Sequence, residues 1–531
     1  MTRMSAFATT SLLVLCLVSN GAQAQTGGSQ INVRMKWQDF ISGTDGAKRL
    51  ASLQNAVKKM KSLDNSPTDS ADFRRSWKYW GNIHGYLGPN STFGTVADRK
   101  AQLTQLGLDQ FIPFLVGTDT KPGIQDQTPP DATAKAVWAT CQHSPRGKQL
   151  NFFGWHRIYL YYFERVLRWA ADDPSLTLPY WDYTDPAQTA LPDAFQETDP
   201  PLSPLYDWRR DIGLNRASLR LDANITDIDD PLTHDTDFLT YEGHIERGVH
   251  GAVHCAVGQT CPVALMGLVG VAANDPIFYH HHANIDRMWS CWQHAHPKEQ
   301  PGDWQDEEFS MIDENGDLKK KKVKDVLDTR ALGYMYDNED KCTRAPTPTP
   351  TAAVAAAAPA ATTAAAEPAA KSNATQPIRL NPTTTYVDVT IQEPKRQQLM
   401  ASAERGQTTL VLRDVSAQTD PGALLNVYVA RKNAPEKREY VGTINWFGVF
   451  DHGVQHGDAR VSDTYRFPVA KALKALGVSD AKELTVTFEA ASGLVPSGKP
   501  APAIKGAAAP AAPAPALRSG AEVSVGAVEI H

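Results

Sequence analysis

The residues of this chain best suited to chemistry are histidines grouped in its middle third. His250 and His254 stand four residues apart, so on a helix their imidazoles share one face. The run His280-His281-His282 follows on the next apolar segment, where one or two of its rings can face the same point. Because an all-imidazole donor set suits copper or zinc, this grouping predicts a metal site.

A second histidine group lies upstream and predicts a second metal ion. It contains His84, His143 and His156. His156 stands near the start of a predicted helix from Phe153 to Trp169, in which aromatic and apolar residues recur at helical spacing. The spacing alone leaves an alternative, in which His143 is a loop residue and His156 packs in the core.

The spacing of His250 and His254 also resembles that of zinc hydrolases, which place a glutamate after the first histidine as the base. Gly251 occupies that position here, so the base of a zinc hydrolase is missing. A zinc hydrolase would also leave the upstream histidines without a role. The two groups together therefore favour a pair of metal ions over a single zinc.

The elements that hold these histidines lie in a chain of 531 residues, long enough for two or three domains. An aromatic region with helical patterning runs from about Trp37 to Tyr336. Ala, Pro and Thr then dominate from Arg344 to Pro377, which predicts a flexible tether. Short alternating segments beyond it predict a small antiparallel β-sandwich. We therefore expect a mainly α domain at 25–343, a linker at 344–380 and a β domain at 381–531.

The N-terminus carries the pattern of a secretory signal peptide. Arg3 precedes a short apolar run, and the small residues Ala22-Gln23-Ala24 follow it. This pattern predicts a signal peptide at 1–24 and an exported protein, periplasmic or secreted. The apolar run is too short to anchor the chain in a membrane. A net charge of −6 without a dense Lys/Arg stripe argues against nucleic acid as a partner, and we interpret Lys319 to Lys322 as a solvated turn.

Five cysteines remain once the signal peptide is removed, so in an oxidising compartment one is left over. Cys255 and Cys261 are near enough in sequence to close a small loop beside the downstream histidines. Cys291 and Cys342 then tie the late helix to the end of the helical region. This pairing leaves Cys141, two residues before His143, outside the disulfides.

Several segments resemble the tyrosinase, catechol oxidase and haemocyanin family of type-3 dicopper proteins. They are Trp155-His156-Arg157, Pro179-Tyr180-Trp181-Asp182, His250-x-x-x-His254 and Asp275 to Trp289. The resemblance covers about residues 37–336 and implies a four-helix-bundle core with two copper ions, each held by three histidines. It assigns one copper to His84, His143 and His156 and the other to His250, His254 and His282, with His281 behind them.

The C-terminal region resembles the tail of plant-type polyphenol oxidases. Tyr334-Met335-Tyr336 is similar to the Tyr-x-Tyr motif that closes their catalytic domain. The likeness continues from Trp446 to Arg466 and from Val523 to Ile530. In latent members of the family such a tail shields the active site until the linker is cut. The resemblance therefore implies an activating protease as a partner.

Cys141 has a role within this resemblance. Some family members join a cysteine to the histidine two positions later by a thioether bond, and Cys141-Gln142-His143 has that spacing. We therefore expect a covalent link between Cys141 and His143. The interval from His143 to His156 is longer than is usual in the family, around Pro145 to Lys148.

Three positions bear on the choice of substrate. Glu246 lies four residues before His250, where members that hydroxylate monophenols use a glutamate and an asparagine to hold a basic water. The asparagine position is Gly251 here. Val269 stands where plant catechol oxidases often carry a bulky gate phenylalanine, and the alternative is that Val269 only packs.

The resemblance implies a copper enzyme that uses O2 to oxidise small phenols, and the signal peptide predicts that it is exported. With Gly251 in place of the asparagine, oxidation of o-diphenols to o-quinones is expected to exceed hydroxylation of monophenols. An o-aminophenol oxidase, a full tyrosinase and a haemocyanin-like O2 carrier are the alternatives. Arg157 and Asp286 are expected to pair between helices and to orient the ligands. The sequence identifies no particular copper chaperone.

Overall fold

The structure is a computed structural model that describes most of the chain after residue 30. The described residues are 31–88, 95–105, 109, 112–113, 117–118, 121–122, 129–142, 151–198, 203–228, 231–232, 235, 237–259, 265–297, 302–339, 367–450, 461–498 and 514–531. The expected signal peptide, His143, Cys261 and Cys342 lie outside these residues. Within them, no helix combines the length and the apolar character needed to span a bilayer.

Helices dominate the chain up to Ala295, the part called the α region below. They are α1 Trp37–Phe40, α2 Gly46–Ser62, α3 Ala71–Arg74, α4 Trp77–His84, α5 Val96–Gln105, α6 Ala132–Val137, α7 Phe152–Ala171, α8 Ile212–Asn215, α9 Phe238–Ile245, α10 Gly251–Val257 and α11 Ile277–Ala295. A wide, π-type turn over Glu246–His250 joins α9 to α10. Two more helices, α12 Arg396–Glu404 and α13 Ala470–Ala475, lie in the β-rich region.

Helices α7 and α11 form the centre of the α region, and the expected mainly α core is confirmed. The bounds of α7 lie one or two residues outside those that the aromatic spacing indicated. Phe163 of α7 stacks on Tyr279 of α11 with ring centroids 3.6 Å apart, and the hydroxyls of Tyr159 and Tyr279 lie 3.0 Å apart. Such aromatic pairs stabilise a core beyond the area that they bury.

A buried ionic cluster around Asp286 joins the central helices to the start of the α region and to a segment that follows it in the chain. Arg157 Nε donates to Asp286 Oδ1 at 2.5 Å, and Arg34 Nη1 donates to Oδ2 at 3.2 Å. The hydroxyls of Tyr334 and Tyr336 donate to Oδ2 at 2.7 and 2.6 Å. Burial alone would raise the pKa of Asp286, but the two guanidinium groups outweigh it and hold this pKa below its usual range.

Strands occur in small pairs in the first part of the chain and in a large sheet in the tail, the name used below for residues 367–531. Ten strands of the tail form one sheet, in which every pair is antiparallel. The expected antiparallel β domain is therefore confirmed. The strands are β1 Asn32–Arg34, β2 Gly117–Thr118, β3 Lys121–Pro122, β4 Leu219–Leu221, β5 Glu308–Ile312, β6 Leu318–Lys322, β7 Tyr334–Tyr336, β8 Ala370–Ser372, β9 Ile378–Arg379, β10 Thr384–Ile391, β11 Thr409–Ala417, β12 Leu424–Arg431, β13 Ala434–Ile444, β14 Val461–Pro468, β15 Glu483–Ala491, β16 Leu494–Pro496, β17 Ser524–Val525 and β18 Ala527–Ile530.

Two segments differ from the sequence-based expectation. Strands β8 and β9 lie inside the stretch that composition assigned to the linker, yet β8 pairs with β10 and β18, and β9 pairs with β17. Their small and charged side chains resemble a tether, and only partners distant in sequence make them strands. The lysines of Lys319 to Lys322 form an exposed strand, β6, paired with β5, so the interpretation as a turn is wrong.

The tail contacts the α region through a short two-stranded sheet. Strand β16 of the tail pairs antiparallel with β4 of the α region. Next to this pair, Asp222 N donates to Gly493 O at 2.9 Å, and Ser497 Oγ donates to Ala217 O at 2.5 Å. Because main-chain pairing of this kind fixes both register and orientation, it holds the tail in one position over the histidines.

Candidate metal centre

The upstream cluster consists of His84, His156 and Cys141, whose possible ligand atoms all lie within 4.8 Å of one another. His84 ends α4, and its Nδ1 lies 3.0 Å from Val269 O. His156 lies one turn into α7, and its Nδ1 donates to Phe152 O at 2.7 Å. A carbonyl at Nδ1 orients each ring and directs Nε2 toward the shared centre.

The downstream cluster consists of His250, His254, His281 and His282, again within 4.8 Å. Nδ1 of His250 lies 3.2 Å from Glu246 O, and Nδ1 of His254 lies 2.7 Å from Met266 O. The Nε2 atoms of His254 and His282 are 3.3 Å apart. The i, i+4 spacing at the start of α10 thus places two rings on one face, opposite the rings of α11.

The two clusters are neighbours, because the rings of His156 and His282 stack with centroids 4.4 Å apart. Nε2 of His281 and Nδ1 of His282 are buried and make no hydrogen bond to any described residue. Burial lowers the pKa of both rings, so both are neutral, which is the form that binds a metal. Buried neutral imidazoles with nitrogens left for a ligand fit copper well.

The structure places His281 in the downstream cluster as well as His282. Nδ1 of His281 lies 2.8 Å from the hydroxyl of Tyr183. The assignment of His282 as the ligand, with His281 behind it, stays a prediction. His280 points elsewhere: its Nδ1 donates to Pro179 O at 2.8 Å, its ring packs against Trp37, and burial lowers its pKa to about 4.

Cys141 belongs to the upstream cluster and forms no disulfide with a described residue. Its Sγ is 3.5 Å from His156 Nε2. Burial, and then the charge of Glu246, raise the pKa of this thiol. The expected thioether and the assignment of His143 to a copper lie outside the described residues and stay predictions. Cys255 and Cys291 are both disulfide-bonded, while their expected partners lie outside the described residues too.

Glu246 starts the π-type turn and is buried next to the downstream cluster. One turn earlier on α9, Glu242 Oε1 accepts a hydrogen bond from Phe153 N at 3.1 Å. Burial, and then the charge of Glu246, raise the pKa of Glu242 to about 8. Glu242 is therefore protonated at neutral pH and adds no negative charge at this position.

Phe447 of the tail covers the histidines. Its ring stacks on that of His254 with centroids 4.0 Å apart and planes at 11°, and it meets His250 edge-on at 5.5 Å. Phe447 belongs to the plug loop, the name used below for residues 445–450. The tail therefore places an aromatic ring directly over two of the expected ligands.

The expected substrate-gate positions, Val269 and Gly251, both face the plug loop. Val269 is buried, and a Cβ built on Gly448 would lie 3.3 Å from its Cγ2. A Cβ built on Gly251 would lie 2.3 Å from Asn445 Oδ1. The carbonyl of Val269 also holds His84, so Val269 positions an expected ligand, while its role as a gate stays a prediction.

Sequence reasoning missed Phe447, Asn445 and Tyr183. Phe447 stands in Trp446-Phe447-Gly448, where an aromatic pair before a glycine that adopts a positive φ is a recognisable loop signal. Tyr183 directly follows the Pro179 to Asp182 segment. No pattern marks Asn445, because its contact with the α region joins residues 197 or more positions apart.

The histidine clusters and the helical core define the chain as a type-3 copper protein, and comparison with known families agrees. The family profile "Common central domain of tyrosinase" matches residues 74–207 and 206–295. The profile "Polyphenol oxidase middle domain" matches residues 300–347. The chain belongs to the plant-type polyphenol oxidase family. Members of this family have a dicopper centre, and the two histidine clusters are the residues of this chain that fit it.

Similar curated proteins come from plants and from a bacterium. A chloroplastic polyphenol oxidase of Malus domestica is 27% identical over 65% of this chain and 65% of its own length. Polyphenol oxidase A of Solanum lycopersicum, also chloroplastic, is 32% identical over 40% of this chain and 42% of its own. Tyrosinase HcTyr1 of Hahella sp. (strain CCB-MM4) is 30% identical over 53% and 59%. The chain thus spans less than two thirds of these relatives.

Solved structures of similar fold include latent enzymes with their tails. A recombinant latent aurone synthase (polyphenol oxidase) matches at a TM-score of 0.55 and 20% identity, over 94% of this chain and 89% of its own. Latent apple tyrosinase matches at a TM-score of 0.52 and 19% identity, over 94% and 97%. At this identity the likeness shows the shared fold, α region and tail together.

Proposed function

We propose that this protein is a latent, exported copper phenol oxidase. With O2 it oxidises o-diphenols to o-quinones, and it hydroxylates monophenols more slowly. The observation that carries the proposal is the pair of adjacent, buried histidine clusters beneath the ring of Phe447. Bound copper supplies the redox chemistry in which two diphenols lose four electrons and four protons while one O2 becomes two waters.

The protein's own residues prepare this chemistry by orienting the ligands. Backbone carbonyls at Nδ1 of His84, His156, His250 and His254 leave Nε2 of each ring for copper. Burial keeps His281 and His282 neutral, so copper does not compete with a proton at either ring. The buried ionic cluster around Asp286 holds α7 against α11 and so keeps the two histidine clusters adjacent.

The position of Phe447 indicates how a phenol binds. Its ring lies parallel to His254, and a phenol in the same place would stack on this imidazole with its hydroxyl toward the clusters. Glu246 is then the group that, through a water, takes the phenolic proton. Because Gly251 offers no amide to hold that water, monophenols, which must lose this proton before hydroxylation, are the poorer substrates.

Latency follows from the same contact, since Phe447 and substrate compete for one space. Cutting the linker at a site between 344 and 366 would free the tail from its covalent tether and let it leave. We also propose export through a signal peptide at 1–24. Plant relatives are named chloroplastic, so N-terminal sequencing of the mature protein distinguishes the two routes: export predicts a start at Gln25.

A substrate panel on copper-loaded protein tests the proposal. The full-length chain and the chain cut at a protease site built into the linker are each given catechol, a monophenol and an o-aminophenol. We expect two copper ions per chain, little quinone from the uncut protein and rapid quinone formation from catechol after cutting. An O2 carrier would bind oxygen but form little quinone in either state. One zinc per chain with no oxidation would refute the proposal.

A further inference from the structure

Position 251 has no side chain, and an amide of the tail fills the space. A Cβ at Gly251 would lie 2.3 Å from Asn445 Oδ1, 2.8 Å from its Cγ and 2.9 Å from its Nδ2. Real Cβ atoms essentially never approach other heavy atoms within 3.0 Å. Any residue other than glycine at 251 therefore requires Asn445 or the backbone of α10 to move.

Asn445 is not free to move without cost. It is buried, and its Nδ2 donates to Arg247 O at 2.5 Å and to Gly248 O at 3.4 Å. Its Oδ1 accepts from Phe447 N at 3.2 Å, and its own carbonyl accepts from the Tyr465 hydroxyl at 3.2 Å. Displacing the amide breaks bonds to the α region and, at the same time, the bond that sets the position of Phe447.

The Arg247 carbonyl, which makes the shorter of the two bonds to Asn445, is available because the helix is broken there. The π-type turn at Glu246–His250 contains Gly248 with φ −93° and ψ −109°, which is not helical. In an α-helix Arg247 O would accept from the Gly251 amide, whereas here that amide bonds to Glu246 O and Gly248 O and leaves Arg247 O to the tail. The irregular turn and the bare glycine together form a socket, defined here by Arg247, Gly248 and Gly251.

We propose that Gly251 is the residue that allows the tail to dock on the α region, and that Asn445 is the residue of the tail that fills the socket. The same position influences substrate choice, since it lies directly after the ligand His250. A side chain at 251 would therefore alter latency as well as specificity, and the two effects must be measured separately. The part of this inference that concerns latency rests on the proposed function, whereas the docking of the tail does not.

The test uses the full-length, copper-loaded chain with a protease site built into the linker. After cutting, the tail is held only by noncovalent contacts such as the pairing of β16 with β4, so it leaves on dilution with a measurable dissociation constant. We expect Gly251→Ala to raise the dissociation constant of the cut tail at least tenfold, as measured by gel filtration at decreasing concentration. For each variant, the rate of catechol oxidation by the uncut protein is divided by the rate of the cut protein. This quotient should be higher in Gly251→Ala than in the wild type by a similar factor.

Two variants keep the test decisive. Thr240→Ala is the control, because Thr240 is exposed on α9 and no bond joins it to a described residue of the tail, and it should leave the dissociation constant unchanged. Asn445→Gln overfills the socket from the tail without altering the α region, and it should also release the tail. It therefore gives an answer even if Gly251→Ala does not fold.

A double-mutant cycle completes the design. In an Asn445→Gly background the socket is empty, so adding Gly251→Ala should produce no further weakening. The inference fails if Gly251→Ala and Asn445→Gln bind the tail as tightly as the wild type, or if Gly251→Ala still costs tenfold beside Asn445→Gly. Loss of oxidation with normal tail release would instead count against the proposed function alone.

Discussion

Removing the ring of Phe447 should make the uncut protein active while its tail stays docked. The ring stacks on His254 at 4.0 Å and is partly buried, so Phe447→Ala would leave a ring-sized opening over the clusters. The β16–β4 pair and the bonds of Asn445 are untouched by this change. A phenol would then find the space that Phe447 occupies in the wild type.

The size of the effect follows from what the ring contributes to closure. Full burial of a phenylalanine is worth about 1.5–3 kcal/mol, and a half-buried ring about half of that. Stacking on another ring adds about 0.5–1.5 kcal/mol. The sum is about 2 kcal/mol, and because each 1.4 kcal/mol is tenfold, the apparent KM for catechol in the uncut chain should fall about thirtyfold.

The assay is initial quinone formation by copper-loaded, uncut protein at a series of catechol concentrations. Phe450→Ala is the matched control, since Phe450 lies in the same loop, is equally partly buried, and packs against Trp446 rather than a histidine. It should remain latent. If Phe447→Ala is as latent as the wild type, or if Phe450→Ala is equally active, the ring does not compete with substrate and this reasoning is refuted.

Four further predictions concern other parts of the molecule. Asp286→Asn leaves the buried guanidinium of Arg157 without its counter-charge, while Arg34 keeps Glu164 as its partner. The change should lower the free energy of unfolding by about 3–5 kcal/mol in urea titrations; a loss below 1 kcal/mol would show that the ionic cluster around Asp286 is not stabilising. His282→Ala should bind one copper per chain by atomic absorption, whereas His281→Ala should keep two; the reverse result would exchange their assigned roles. Gly251→Asn, in the cut protein, should raise the monophenol-to-diphenol rate ratio, and an unchanged ratio would mean that the amide position does not limit hydroxylation. In the folded protein the pKa of Glu242 is raised to about 8 from an ordinary value near 4.5. Between these two pH values the unfolded chain binds fewer protons than the folded one, so the free energy of unfolding falls as the pH rises. In copper-free protein Glu242→Gln should therefore be more stable than the wild type above pH 5, with a gap that grows to about pH 8; a gap independent of pH would contradict the raised pKa.

Local patterns in the sequence were sufficient for the helices that carry the ligands. The spacing of His250 and His254 and the aromatic repeat of α7 depend only on helical geometry, which nearby residues determine. Composition was a weaker guide at the start of the tail, since Ala370–Ser372 resembles a tether until its partners β10 and β18 are known. The family resemblance, rather than spacing, supplied the division of histidines between two metals.

Contacts between distant residues could not be predicted in this way. Arg34 reaches Asp286 across 252 positions, and nothing near Arg34 in the sequence indicates a buried ion pair. Asn445 and Phe447 are equally remote from the histidines that they cover. Their roles depend on how the tail is placed, which the pairing of β16 with β4 determines after both parts have folded.

The contacts of the plug loop explain why one glycine matters to both states of the protein. Closing the tail requires room for Asn445, and that room exists only because residue 251 lacks a side chain. Phe447 N is bonded to the same amide, so the ring over His254 is correctly placed only when the amide is seated. An asparagine at 251 would help to hold a basic water in the open enzyme but would prevent this seating. Under the proposed function, glycine at 251 therefore serves both latency and diphenol oxidation, and the proposed weaker hydroxylation of monophenols follows from how the site is closed.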